Sequence, residues 1–137
     1  MAITDQEVFE TGTDAFNEHD LARIEELLDD DVVFRGPGDE RGEGKAACLE
    51  FYGGWFDDFP DAHLEIQGMH FFDDVAIEEG TFTGTHSGRA RTGREVSLDY
   101  VRIIRSSDGK HVSERVMLDV LLMLEQLGLS DDAAPAA

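Results

Sequence analysis

The sequence predicts one α+β domain, in which a curved antiparallel sheet and a few short helices enclose an apolar pocket. Two observations carry this fold class: apolar residues recur at helical spacing up to Pro60, and extended segments separated by short turns follow from Ala62. A length of 137 residues fits one domain, and 41% apolar residues allow a sizeable core. We therefore expect a single domain over residues 1–129, followed by a disordered tail over 130–137.

Two helices are predicted before the first strand. The run Thr4-Asp5-Gln6-Glu7 resembles a capping box, and Phe9, Gly12 and Phe16 then share one helical face. Asp20 is placed to cap the second helix. The apolar stripe of that second helix consists of Leu21, Ile24, Leu27 and Leu28.

A third helix is predicted from about Gly44 to Phe59, after a short strand at Val32–Phe34 and a turn-rich loop over residues 36–40. Pro60 ends it, because proline is not tolerated in a helix interior. One face of this helix is rich in aromatic residues and carries Cys48, Tyr52, Trp55 and Phe59.

Four strands and a last helix follow. The strands are expected at 62–72, 75–86, 95–105 and 110–118, and the gaps between them are short enough for antiparallel hairpins. Residues 120–129 form a helix that is apolar nearly all round, which indicates burial on more than one side. A dimer interface and packing inside the monomer are both compatible with that pattern.

Charge is the most unusual feature of the composition. The chain has 31 acidic and 11 basic residues, a formal net charge of −20, and the acids recur along its whole length, as in Asp29-Asp30-Asp31 and Glu78-Glu79. An even acidic coat repels itself in dilute buffer, and this repulsion is largely screened at about 1 M salt, where the Debye length is roughly 3 Å. We expect a protein of a salt-loving organism, with an ordinary acidic surface or a basic partner as the alternative.

The same composition excludes several classes of partner and place. Nucleic acid is an unsuitable partner because its phosphates would meet a like-charged surface. No apolar run reaches the roughly 18 residues of a membrane span, and the N-terminus does not resemble a secretory signal. Cys48 is the single cysteine, so no internal disulfide forms. These features predict a cytoplasmic protein.

Three segments resemble the SnoaL-like polyketide cyclase family of the nuclear transport factor 2-like superfamily. They are Phe51-Tyr52-Gly53-Gly54-Trp55-Phe56-Asp57-Asp58-Phe59-Pro60-Asp61, then Gly84-Thr85-His86-Ser87-Gly88 with Thr92-Gly93-Arg94-Glu95-Val96, and then Asp108 to Gly128. The resemblance implies a cone-shaped α+β barrel, with the N-terminal helices packed on a strongly curved, mostly antiparallel sheet that encloses a pocket for a small hydrophobic molecule. It also fits a homodimer or a higher homo-oligomer.

The resemblance places a catalytic carboxylate at Asp119. In cyclases of the family a carboxylate near the start of the C-terminal segment acts as acid and base in an intramolecular aldol condensation, with no metal and no cofactor. An apolar pocket raises the pKa of such a carboxylate and makes it a stronger base. Asp119 also directly precedes a helix, where aspartate is a favoured N-cap, and this structural role stays open.

The other candidate site residues have two interpretations each. His86 matches a histidine frequent in the family and is a candidate to contact a substrate carbonyl, or it is a hydrogen-bonded residue at a strand end. Arg102 shares strand parity with Tyr100, so it either reaches the pocket as an oxyanion partner or pairs with an acid across the sheet. The expected pocket residues are Tyr52, Trp55, Tyr100, Arg102 and Met117.

Two departures from the family pattern leave the reaction open. Arg115-Val116 stands where many members have His-Trp, and the loop over residues 88–92 is short. The five histidines show no metal-binding spacing. The first hypothesis is thus an acid/base enzyme acting on a carbonyl compound. The alternatives are a non-catalytic ligand-binding or dimerisation domain, and an epoxide hydrolase-like enzyme that uses Asp99, Arg115 and Asp119.

Overall fold

The structure is a computed structural model that describes residues 5–87 and 92–129. It contains the helices α1 (Asp5–Asn17), α2 (Leu21–Leu27), α3 (Lys45–Asp58) and α4 (Val120–Leu127). Its strands are β1 (Leu28–Arg35), β2 (Arg41–Glu43), β3 (His63–Phe72), β4 (Val75–Thr85), β5 (Glu95–Ser107) and β6 (Lys110–Leu118). The α+β fold class is confirmed, whereas Thr4 of the predicted capping box, the loop over 88–91 and the predicted tail fall outside the described residues.

The six strands form one sheet in the order β2-β1-β6-β5-β4-β3. All neighbouring strands are antiparallel except β1 and β6, which run parallel. Because β2 and β3 are the two edges of this sheet, the cone that the resemblance implies is an open one and not a closed barrel. Irregularities of register in β1, β3 and β5 interrupt the ladders, and such bulges bend a sheet.

Local sequence explains most element ends. The Asp20 carboxylate accepts a hydrogen bond from the Arg23 amide and caps α2. Asp108 and Gly109 have φ values of 53° and 76°, so a turn with two left-handed residues joins β5 to β6. All four hairpin strands lie within two residues of their predicted bounds at both ends. Strand β2 was missed because three residues give no alternation to detect.

The main core lies between the helices and the inner face of the sheet. Along β5 every second side chain is buried: Val96, Leu98 and Tyr100 belong to this core, and Ile104 packs with Phe9 and Ala76 in a second, smaller cluster. The aromatic face of α3 packs over these residues with Cys48 and Tyr52 buried. Helix α4 buries Leu127 but leaves Leu121 and Leu122 exposed, so the predicted burial on several sides is not met within one chain.

Candidate functional site

An apolar pocket lies between α3 and the inner face of the sheet. Its volume is about 40 Å³, which by the criterion of roughly 10–15 Å³ per water is room for a few waters. A ligand larger than a few non-hydrogen atoms therefore requires the aromatic walls to move. The lining residues are Phe16, Pro37, Phe51, Tyr52, Trp55, Leu64, Phe82, Tyr100, Arg102, Val116 and Leu118.

The polar groups of the lining are concentrated at Tyr52, Tyr100 and Arg102. Arg102 is 4% exposed, and strand alternation brings it to the same side of β5 as Tyr100. Tyr52 approaches from α3, three residues before Trp55, so one helical face supplies both an aromatic wall and a hydroxyl group. The surface that these residues expose to the pocket is apolar, and their polar groups contact the buried carboxylates of Glu78 and Glu114 behind it.

Arg102 lies between two buried carboxylates on the neighbouring strands. Its Nη1 is 3.3 Å from Glu78 Oε2, and its Nη2 is 3.9 Å from Glu114 Oε1. Glu78 is the direct cross-strand partner of Arg102, and it is 1% exposed. A buried charge is costly unless it is paired and hydrogen-bonded. Glu78, Arg102 and Glu114 form a buried cluster in which Arg102 pairs with both carboxylates and so offsets the cost of burying them.

Glu78 uses both carboxylate oxygens. Thr13 donates a hydrogen bond from its hydroxyl group to Oε1 at 2.6 Å, and the Tyr100 hydroxyl group donates to Oε2 at 2.8 Å. Burial and the charge of Glu78 raise the pKa of Tyr100 well above its usual range. Tyr100 consequently stays a neutral phenol that holds Glu78 beside Arg102.

Glu114 accepts hydrogen bonds from two further buried side chains. Tyr52 donates to Oε1, and His111 donates from Nδ1 to Oε2 at 2.8 Å. Burial raises the pKa of Glu114, but the hydrogen bond and charge of His111, with the charge of Arg102, outweigh burial and lower it to about 2. Burial and the adjacent Glu114 carboxylate raise the pKa of Tyr52. Glu114 is therefore a weak base, and Tyr52 keeps its proton.

Gly80 makes room for the Tyr100 ring. A Cβ atom at this position would lie 2.7 Å from the Tyr100 hydroxyl oxygen, closer than carbon and oxygen atoms approach without displacement. Gly80 on β4 is the cross-strand partner of Tyr100 on β5, so the strand itself admits the tyrosine next to Glu78. The contact between Tyr100 and Glu78 thus depends on the absence of a side chain at position 80.

Four of the five residues predicted to line the pocket do so, namely Tyr52, Trp55, Tyr100 and Arg102. Met117 does not: it is 39% exposed on the outer face of the sheet, and its neighbours Val116 and Leu118 enter the pocket instead. The physical reason is the alternation of side chains along β6. Arg102 pairs with acids across the sheet and also lines the pocket, while its role as an oxyanion partner stays a prediction.

Asp119 and His86 lie outside the residues that line the pocket. Asp119 is exposed, and its carboxylate accepts a hydrogen bond from the Leu122 amide at 3.0 Å, so it caps α4. His86 is buried near the end of β4, with Nδ1 3.1 Å from Thr92 Oγ1 and its ring against Phe59. Asp119 thus has its alternative role as a helix cap, and His86 has its alternative role as a hydrogen-bonded residue at a strand end. The catalytic roles of both residues stay predictions.

The trio Asp99, Arg115 and Asp119 does not converge on the pocket. All three residues are exposed, and Asp99 and Arg115 lie on the outer side of the sheet. Two carboxylates and an arginine do meet inside the protein, but they are Glu78, Arg102 and Glu114.

Sequence reasoning missed Glu78, Glu114, His111 and Thr13. Glu78 was assigned to the acidic coat with Glu79, and this assignment is wrong because Glu78 faces the core while Glu79 faces solvent. The available signal was strand parity: Glu78 alternates with Ala76 and Phe82, two apolar residues of the inner face. A carboxylate at such a position needs a buried partner, and Arg102 has the same parity on the next strand.

Two searches of the described ranges were negative. Within residues 5–87 and 92–129, no three His, Cys, Asp or Glu side chains are grouped so as to hold a metal ion. None of the helices there has the length and apolar character that crossing a membrane requires.

Comparisons with known proteins agree with the fold. The SnoaL-like domain family matches residues 9–114. AclR of Streptomyces galilaeus, provisionally assigned as a hydroxylase, has a similar structure (26% identity, 93% of this chain and 83% of AclR covered, TM-score 0.80). IdmH of Streptomyces antibioticus, provisionally a polyketide cyclase, is also similar (25% identity, 92% and 99% covered, TM-score 0.79).

A provisionally assigned SnoaL-like polyketide cyclase from Jannaschia sp. CCS1 has a TM-score of 0.83. It is 17% identical, with 96% of this chain and 92% of that chain covered, so it shows the fold alone. No curated protein matches the chain.

Proposed function

Because the chain belongs to the SnoaL-like domain family, we propose that it is a cofactor-independent acid/base enzyme for a small, apolar carbonyl compound. The observation that carries this proposal is Arg102, which lines an apolar pocket and is at the same time ion-paired with Glu78. A guanidinium group is suited to a carbonyl oxygen that gains negative charge, and because the surface exposed to the pocket is apolar, the substrate reaches this group by displacing the pocket walls. IdmH, at 25% identity, carries a provisional polyketide cyclase assignment, which supports this class, whereas AclR, at 26% identity, carries a provisional assignment to a different reaction, hydroxylation.

The proposed reaction begins with removal of a proton from the carbon next to the carbonyl group. In the proposed complex the carbonyl oxygen lies against Arg102, which stabilises the enolate as it forms, while the Tyr52 hydroxyl group keeps its hydrogen bond to Glu114. A carboxylate takes the proton and later returns one, either to the same compound or to the product of ring closure. Of the two buried carboxylates we propose Glu78 as the base, because it is the direct cross-strand partner of Arg102 and accepts a hydrogen bond from Tyr100, and both of these residues line the pocket.

Exchange of α-protons with solvent tests this assignment. Butanone in D₂O at molar KCl is followed by ¹H NMR with the wild type, Glu78→Gln and Asp119→Asn. We expect the wild type to accelerate exchange, Glu78→Gln to lose the acceleration by about 100-fold or more, and Asp119→Asn to keep it. Loss of exchange in Asp119→Asn with retention in Glu78→Gln would move the base to Asp119.

Binding is measured separately in the same samples. Trp55 is the single tryptophan and lines the pocket, so its one indole N–H resonance reports on occupancy of the pocket and on folding. If butanone shifts this resonance but the wild type gives no exchange, the chain is a binding domain and the enzymatic proposal fails.

Epoxide hydrolysis is a second candidate, favoured by the position of Arg102 between two carboxylates. In that reaction a carboxylate takes a proton from water, the hydroxide oxygen bonds to a ring carbon, the carbon–oxygen bond of the epoxide breaks and the leaving oxygen gains a proton. Cyclopentene oxide in H₂¹⁸O gives a labelled diol if this occurs. Diol formation that needs Glu78, without ketone exchange, would favour this candidate over the first.

We also propose a cytoplasmic, salt-rich setting and a homo-oligomeric state. The net charge of −20 supports the first, because screening of an acidic coat requires salt. The exposed Leu121 and Leu122 of α4 support the second.

A further inference from the structure

Three arginines lie side by side where the sheet ends at β2. Arg115 on β6 is the register partner of Arg35 on β1, and Arg35 is the register partner of Arg41 on β2. Directly opposed residues share one face of a sheet, and here it is the outer face, because the neighbours Phe34 and Glu114 are buried on the inner one. With 11 basic residues among 137, a row of three is unusual for this chain. We call these three residues the arginine row.

The arginine row favours negative charge beside it. Like charges directly opposite each other destabilise a sheet, so an anion that lies between them stabilises it. Asp39 takes this place for two of the three, with Oδ1 3.1 Å from Arg35 Nη2 and 3.0 Å from Arg41 Nη2. Hydrogen bonds from Arg41 and Arg35 lower the pKa of Asp39, so its carboxylate stays charged.

Two of the guanidinium groups have donors to spare. Arg115 forms no ion pair within residues 5–87 and 92–129. Arg35 Nε is shielded from solvent and has no hydrogen-bond partner in the same ranges. An unmade hydrogen bond of a shielded donor is costly, and an anion that draws the Arg35 side chain outward would remove this cost.

A recess of about 520 Å³ adjoins the arginine row, and all three arginines line it. Ser113 contributes a hydroxyl group to the lining, and Val33, which is 43% exposed, contributes an apolar surface. Glu43 is the register partner of Val33 and makes that end of the recess acidic. An anion therefore belongs at the arginine end, and an uncharged group belongs at the end that Val33 lines.

We propose that the arginine row binds the diphosphate group of a small organic molecule. Neighbouring strands lie about 4.8 Å apart, so the three Cα atoms of the row span roughly 10 Å. One carboxylate is too small to contact all three guanidinium groups, and Asp39 contacts two. Two linked phosphate groups present oxygen atoms at both ends, and phosphate oxygens accept paired hydrogen bonds from guanidinium groups. The recess has room beside the diphosphate for the organic part of the ligand.

Binding at this site competes with Asp39, because the ligand and Asp39 use the same donors of Arg35 and Arg41. The net charge of −20 repels anions at long range, but at about 1 M salt the Debye length is roughly 3 Å, and contacts at hydrogen-bond distance persist. The site lies on the opposite face of the sheet from the ketone pocket. It is therefore separate from the proposed function, and either can fail without the other.

Titration of ¹⁵N-labelled protein with inorganic pyrophosphate at molar KCl tests the site through the arginine Nε–H resonances. We expect saturable shifts, and a dissociation constant raised by about tenfold or more in Arg35→Gln and in Arg115→Gln. Asp39→Asn removes the competing charge, and asparagine tolerates the left-handed φ of 63° at this position, so binding should tighten by about threefold or more. Arg23→Gln removes the same charge from α2 and should bind as the wild type does.

Three further probes identify the ligand class. Pyrophosphate should bind about tenfold or more tightly than orthophosphate and than succinate, and ethyl diphosphate should bind as tightly as pyrophosphate. Equal binding of succinate and pyrophosphate contradicts the diphosphate assignment, and loss of binding with ethyl diphosphate contradicts an organic ligand.

Two results overturn the site itself. They are a wild type without saturable shifts, and binding that neither Arg35→Gln nor Arg115→Gln weakens. The Trp55 indole N–H resonance, which reports on the pocket, should keep its wild-type position in every variant and so verifies that each one is folded.

Discussion

Glu114 connects the protonation of one residue to the stability of the fold. Its folded pKa of about 2 lies below its ordinary value of 4.5, so ionised Glu114 contributes stability that is fully present above pH 4.5 and is lost as the pH falls towards 2. The difference corresponds to about 3 kcal/mol as an upper value. Glu114 owes this pKa to His111, Arg102 and Tyr52, which together outweigh the effect of burial.

We expect Glu114→Gln to be less stable than the wild type at pH 7, because it removes the charge that His111 and Arg102 stabilise. The difference should shrink as the pH falls from 4.5 towards 2, since the wild-type carboxylate then becomes neutral as well. Urea unfolding of both proteins at pH 7, 4 and 3 measures it. A difference that stays constant over this range would contradict the assigned pKa.

Gly80→Ala tests the close approach of β4 to Tyr100. The added methyl group would clash with the Glu65 carbonyl oxygen on β3 and would lie 2.7 Å from the Tyr100 hydroxyl oxygen, so both strand β3 and the Tyr100 ring must shift. We expect a loss of stability of about 1–3 kcal/mol from overpacking and a displaced Trp55 indole resonance. Gly54→Ala is the matched control, because no atom lies within 4 Å of its added Cβ. Equal stability of the two variants would show that the space beside Tyr100 is not limiting.

Single residues were the hardest scale to predict from sequence. The aromatic spacing on α3 identified Tyr52 and Trp55, and strand parity placed Tyr100 and Arg102 together. The same parity rule applied to β4 and β6 would have placed Glu78 inside and Met117 outside. Acidic residues are so frequent in this chain that their type alone carries little information, and only their position on a strand separates a buried carboxylate from the acidic coat.

Helix α4 shows how one element limits a functional assignment. Asp119 caps it, and Gly128 ends it with a left-handed φ of 73°. Asparagine caps a helix about as well as aspartate does, whereas alanine costs about 1 kcal/mol. Substituting Asp119 by asparagine and by alanine therefore distinguishes its role as a helix cap from a catalytic role of its carboxylate.

We expect Asp119→Asn to match the wild type in stability and Asp119→Ala to lose about 1 kcal/mol, as measured by thermal unfolding at molar KCl. Butanone exchange should be retained in both variants if Asp119 is only a cap. Loss of exchange in Asp119→Asn at unchanged stability would restore Asp119 as the base.

Most element types followed from periodicity, while the pairing of distant segments did not. The hairpins of β3 to β6 were predictable because short turns such as Asp108-Gly109 join the strands. The parallel pairing of β1 with β6 links residues far apart in the chain, and no local pattern encodes it. Glu78, Arg102 and Glu114 lie on the hairpin strands β4, β5 and β6, whereas their contacts with Thr13 on α1 and Tyr52 on α3 depend on helix packing that no local pattern encodes.

At the scale of the whole molecule, net charge governs the conditions under which the fold is stable. The charge of −20 implies self-repulsion that salt relieves. We expect the melting temperature to rise from dilute buffer to molar KCl. Molar tetramethylammonium chloride is the control for screening by a different cation, and it should stabilise to a similar extent. A melting temperature that does not change with salt would contradict the proposed salt-rich setting.

The proposed function requires Arg102 to recognise a carbonyl group. The most direct measurement is a titration of the Trp55 indole N–H resonance with cyclopentanone and with methylenecyclopentane, a hydrocarbon of nearly the same shape. Removing Arg102 alone would leave buried carboxylates without a partner. The comparison variant is therefore the neutral triple substitution Glu78→Gln, Arg102→Met and Glu114→Gln. We expect the wild type to bind the ketone about tenfold or more tightly than the hydrocarbon. We expect the triple variant to bind both compounds equally. Equal binding of the two compounds by the wild type would contradict the proposed function.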